Sequence, residues 1–116
     1  MCNKSTLDVL LEETRNELTT LFGSKLLNVV LYGSYARGDN TPESDIDIMI
    51  IFDSKQDLDY STQKSIRKYA SRIGLAMDVV ISIAFSDKEE FLSAQEYLPF
   101  YQNIVKEGVS LYDCAA

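Results

Sequence analysis

The chain is 116 residues long, enough for one domain (1–116) with a modest core, and 18 acidic against 11 basic residues leave a net charge of −7. That balance argues against a nucleic-acid backbone as a direct partner, because such binding relies on Lys and Arg displacing counterions. Histidine is absent, which excludes an imidazole base or ligand and leaves carboxylates as the catalytic groups available at neutral pH.

The opening Met-Cys-Asn-Lys-Ser lacks the apolar region of a signal peptide, and no apolar run is long enough to span a bilayer. Cys2 and Cys114 are expected to be incidental thiols of a reducing cytoplasm, not a disulfide framework. From Ser5 to Phe22, apolar residues at Leu7, Leu10, Leu11, Leu18, Leu21 and Phe22 make one stripe of a helix, with Ser5 and Asp8 as a capping pair and Gly23 as its stop. Leu26-Leu-Asn-Val-Val-Leu-Tyr32 reads as a strand that breaks at Gly33-Ser34. Ser34 to Arg37 then predicts a helical turn or two closed by Gly38, followed by the turn-rich Gly38-Asp-Asn-Thr-Pro-Glu-Ser44. A second strand, rich in isoleucine, runs from Asp45 to Phe52.

Leu58 to Ile73 repeats the helical pattern and ends at Gly74; its Lys64, Arg67, Lys68 and Arg72 read as a solvated basic face. Ala76 to Phe85 is a third strand with Asp78 near its start. One helix is expected to begin near Asp87 and another after Pro99, stopping at Gly108, with Val109 to Tyr112 as a short edge strand. The order α-β-α-β-α-β-α implies an α+β fold: a small mixed sheet of three to four strands flanked by helices. The first two strands are antiparallel, and the second and third parallel through a helical crossover.

Two features carry chemistry. Asp45 and Asp47 are i and i+2 in extended chain, so their carboxylates share a face and repel each other unless a cation sits between them. Hard oxygen ligands of this kind suit Mg²⁺, which takes one or two carboxylates and completes its shell with water and phosphate. Gly33 allows close approach of the backbone to a ligand, and Ser34 adds a hydroxyl, so the strand end forms a phosphate cradle beside the acid pair. Arg37, the only cation in the motif, either neutralises phosphate or pairs with Asp39 or Glu43. Ser44 is a turn serine or orients Asp45.

Gly33-Ser34, ten intervening residues and Asp45-x-Asp47 together resemble the signature of the DNA polymerase β-like nucleotidyltransferases, in particular their minimal nucleotidyltransferase (MNT) branch. The resemblance implies a nucleotidyltransferase fold and transfer of AMP, or another nucleotide, from ATP or a related triphosphate to a hydroxyl. It also implies two Mg²⁺ ions held by Asp45, Asp47 and a third carboxylate, Asp78, with Gly33, Ser34 and Arg37 on the triphosphate. The chain has little beyond a catalytic core, so the acceptor surface is expected to come from elsewhere; the resemblance implies a tyrosine of a HEPN-domain toxin, which makes the protein an antitoxin. The alternatives are an antitoxin that masks its partner by binding alone, and a small-molecule nucleotidyltransferase completed as a homodimer. Phe91, Tyr97, Phe100 and Tyr101 serve either a partner contact or the packing of the C-terminal helices.

Overall fold

Isoleucine and valine runs set the sheet, and leucine stripes set the helices that cover it. A computed structural model describes residues 3–114. In chain order it holds helix α1 (Lys4–Phe22), strand β1 (Leu26–Tyr32), the single-turn α2 (Ser34–Arg37), β2 (Ile46–Phe52), α3 (Tyr60–Met77), β3 (Ile81–Asp87), α4 (Lys88–Ala94), α5 (Pro99–Glu107) and β4 (Val109–Asp113). The sheet order is β3-β2-β1-β4. β2 runs antiparallel to β1 and parallel to β3, while β4 pairs antiparallel with the other side of β1. The expected mixed sheet, antiparallel first pair and edge strand are all present.

Strand β2 lies at the centre and is buried on both faces, which is why its sequence is almost continuously apolar. Ile46, Ile48, Ile50 and Phe52 face α1 and α3, where Leu10, Leu11, Leu18 and Ile66 complete one core cluster. Met49 and Ile51 face the opposite side and pack with Ala94, Tyr101 and Ile104 of α4 and α5. Each such side chain contributes about 1.5–3 kcal/mol when fully withdrawn from water, so both layers help hold β2 in register. Phe52 is fully buried and meets Phe22 edge-to-face, with ring centroids 5.3 Å apart. Phe91 and Tyr101 belong to the second cluster, whereas Tyr97 and Phe100 stay exposed.

Several boundaries differ from expectation. The α1 cap is Asn3, whose side chain accepts from the Thr6 N–H at 2.8 Å, so the Ser5–Asp8 pair is inside the helix. Helix α3 does not stop at Gly74 but continues to Met77. Gly74 is buried against the carbonyl of Val79, a contact that any side chain there would obstruct. The third strand consequently starts at Ile81, not Ala76. Asp78 is the C-terminal cap of α3, with φ 54° and ψ 49°, a left-handed conformation that Asp tolerates better than most residues. Asp87 caps α4 by accepting from the Glu90 N–H at 3.0 Å, and Pro99 opens α5, both where the sequence places them. Cys2 lies outside the described residues, and Cys114 is an exposed thiol. Among the described residues no helix is long and apolar enough to cross a membrane.

Candidate active site

The antiparallel register of β1 and β2 sets Tyr32 opposite Asp47, so the chain break that follows Tyr32 falls beside that carboxylate. Gly33 takes φ 74° and ψ −157°, a region that essentially only glycine enters. Its α-carbon abuts the Asp47 side chain: a Cβ at position 33 would collide with Oδ2 and lie 3.2 Å from Cγ. A bare backbone, and not merely a flexible one, is therefore needed here. Helix α2 begins at once, with Ala36 and Arg37 donating to the Gly33 carbonyl at 3.1 Å each, and closes at Gly38 in the left-handed region.

Asp45 and Asp47 flank Ile46 at the entrance of β2, and the Ile46 N–H donates to the Val80 carbonyl at 2.9 Å. Burial first, and the neighbouring charge of Asp45 second, push the Asp47 carboxyl above its ordinary value; the field of Arg37 pulls the other way. Asp47 in turn adds to the effect of burial in raising the Tyr32 hydroxyl. Two like-charged carboxylates at one strand entrance, next to a bare backbone turn, are a donor set that a hard divalent cation fits. A complete three-ligand cage is not assembled: among the described residues no three acidic or thiol groups gather closely enough to hold a metal ion.

Arg37 reaches the edge of this site but is paired, its Nε 3.2 Å from Asp39 and one terminal nitrogen 3.4 Å from Glu107. The Asp39 pair is one of the expected options; Glu107, at the far end of α5, is a partner with no local signal in the sequence. Both pairs are exposed, so each contributes little and is readily exchanged for another anion. Ser44 accepts from the Thr41 N–H at 2.8 Å, as a turn serine does.

Asp78 does not join Asp45 and Asp47 in a cluster of three acidic groups that could hold a metal ion. It lies with Glu43, Asp45 and Val80 on the wall of a groove of about 950 Å³ between α3 and the outer edge of β3. The groove opens beside Asp45 but not over Asp47. Sequence reasoning also missed Ser82, which sits beside Asp47 in the parallel register of β2 and β3 and shares its face of the sheet.

Comparison with known proteins gives four findings. Residues 11–111 match the model of the nucleotidyltransferase domain family. A "putative protein adenylyltransferase" of Methanocaldococcus jannaschii is 35% identical over 102 residues, covering 88% of this chain and 94% of the archaeal one. Among solved structures, a toxin–antitoxin with AMP-PNP superposes with a TM-score of 0.56 at 23% identity, over 88% of this chain and 73% of that one. The tri-AMPylated HEPN toxin of Shewanella oneidensis in complex with its MNT antitoxin superposes with a TM-score of 0.51 at 21% identity, over 91% and 72%.

Proposed function

The chain belongs to the nucleotidyltransferase family, and we propose that it moves AMP from ATP to a tyrosine hydroxyl of a HEPN-domain toxin, acting as an antitoxin. The observation that carries this reading is the contact of Gly33 with the Asp47 carboxylate, because it unites the phosphate-binding turn and the acid pair in one site. The archaeal relative is named as a protein adenylyltransferase, and the structurally similar HEPN–MNT complex contains an AMPylated toxin.

In this reading the backbone turn at Gly33 and the Ser34 hydroxyl grip the β- and γ-phosphates and fix the direction of the α-phosphorus. Asp45 and Asp47 would hold Mg²⁺, which when bound neutralises triphosphate charge and stabilises the entering and leaving oxygens. Arg37 exchanges its exposed carboxylate partners for the departing pyrophosphate. Asp78 shares a groove wall with Asp45 but completes no three-carboxylate cluster, so its part in this reading is that of the base that takes the proton of the acceptor hydroxyl, not of a third metal ligand. The hydroxyl oxygen then bonds to the α-phosphorus as the bond to the bridging oxygen breaks. The acceptor carries AMP, and pyrophosphate leaves with the electron pair. Most of the catalytic effect is positioning and charge stabilisation, since phosphoryl chemistry asks little covalent work of the protein.

The test is incubation with Mg²⁺, α-labelled ATP and a HEPN-domain protein from the same source. Label on the wild-type partner, and none when its acceptor tyrosine is replaced by phenylalanine, is the expected result. Tight complex formation with no label transferred favours masking by binding and sinks the transferase reading.

A further inference from the structure

Strand β3 ends the sheet, paired with β2 on one side and with no strand on the other among the described residues. Its side chains from Ile81 to Phe85 are only half-buried, unlike those of β2. The main-chain direction along β3 can be read from two contacts. The Val80 carbonyl accepts from Ile46 of β2, whereas the Ile83 carbonyl accepts from the Arg67 guanidinium at 3.4 Å, on the side away from β2. Successive residues of a parallel strand alternate in this respect, so Ile81, Ile83 and Phe85 direct their N–H and C=O groups outward. Such a row is a template for another extended chain unless something covers it. Arg67, which holds the Ile83 carbonyl and whose guanidinium also lies 4.7 Å from the Phe85 ring, covers the edge from that carbonyl onward. The stretch before it, Val79 to Ser82, faces the groove, whose wall includes the exposed apolar side chains of Leu75 and Val80. Glu43, Asp45 and Asp78 outweigh Arg67 on its lining and leave the groove with a net negative charge.

We propose that the outer edge of β3 seats an extended, basic segment of the acceptor polypeptide, which adds as a fifth strand and presents its hydroxyl to the acid pair. This rests on the protein-acceptor reading above and names how that acceptor is held. Charge selects the occupant: the acidic groove of a chain of net charge −7 favours lysine or arginine beside the modified residue. A side chain beside Ser82 shares the face of Asp47 and starts two strand spacings away, about 10 Å. That distance suits a long hydroxyl side chain such as tyrosine better than serine.

The probe is a seven-residue synthetic peptide with a central tyrosine, alternating valine and threonine around it and lysine at both ends. Two further versions carry N-methyl groups on alternate residues, one in each register. Amide hydrogen exchange of the full chain, without nucleotide, is measured at saturating peptide. The expected result is exchange at Ile81 and Ile83 slowed at least tenfold by the unmodified peptide and by one N-methyl register, and not by the other. Unchanged exchange at both amides, or equal effects of the two registers, overturns the edge-strand seat. If the HEPN partner is still labelled in that case, the transferase reading stands without it. Register-specific protection with no label on any acceptor keeps the seat and removes the transferase.

Discussion

Replacing Gly33 with alanine probes the join between the two halves of the site. The backbone at φ 74° and ψ −157° costs a non-glycine residue about 1–3 kcal/mol. The new methyl also collides with the Asp47 carboxylate, and overpacking of this kind adds about 1–3 kcal/mol. The sum, about 2–6 kcal/mol, is a large share of the stability of a small domain. Gly38 is the internal control: its φ is 83°, but nothing lies within 4 Å of its missing Cβ, so Gly38→Ala pays only a left-handed cost of about 1–2 kcal/mol. Urea unfolding of both variants, with Gly33→Ala repeated in an Asp47→Ala background, separates the two terms. The collision disappears when the carboxylate is removed, so the cycle should show a coupling of about 1–3 kcal/mol. A coupling within about 0.5 kcal/mol of zero, or equal costs at Gly33 and Gly38, refutes the contact between turn and carboxylate.

Phe52→Ala, which empties a fully buried site against Phe22, should lower unfolding free energy by about 3–5 kcal/mol in the same titration. Tyr101→Phe removes a hydrogen bond from the hydroxyl to Glu90 at 3.1 Å and should cost about 0.5–1.5 kcal/mol, leaving the ring packing intact. Asp59 caps α3 by accepting from the Thr62 N–H at 2.7 Å, and that bond holds its carboxyl below the ordinary value of 3.8. A depressed folded value means the cap's contribution is complete above 3.8 and fades as pH falls through the folded value. The melting-temperature gap between wild type and Asp59→Ala should therefore be widest near neutral pH and narrow in acid. A gap that widens on acidification contradicts it.

What could be read from the residues alone follows the range over which each feature is determined. Gly23, Gly38, Asp87 and Pro99 punctuate elements through their own backbone chemistry, so those boundaries were legible. The pairing of Gly33-Ser34 with Asp45 and Asp47 was legible because one short connection returns the chain to the same end of the sheet. The end of α3 was not, since Ala76 and Met77 suit a helix as well as a strand, and Gly74 is chosen for close packing instead of termination. The shift carried Asp78 off the strand and onto the groove wall. Glu107 beside Arg37 and Ser82 beside Asp47 depend on tertiary register, which leaves no mark on neighbouring residues.

Doubly labelled ATP bears most directly on nucleotidyl transfer at the Asp45–Asp47 pair. With Mg²⁺ and the HEPN partner, the α-label should appear on the partner and the γ-label in pyrophosphate, and Asp45→Asn or Asp47→Asn should abolish both while the complex still forms. Transfer of the γ-label to the partner, or undiminished α-labelling by the two variants, would contradict it.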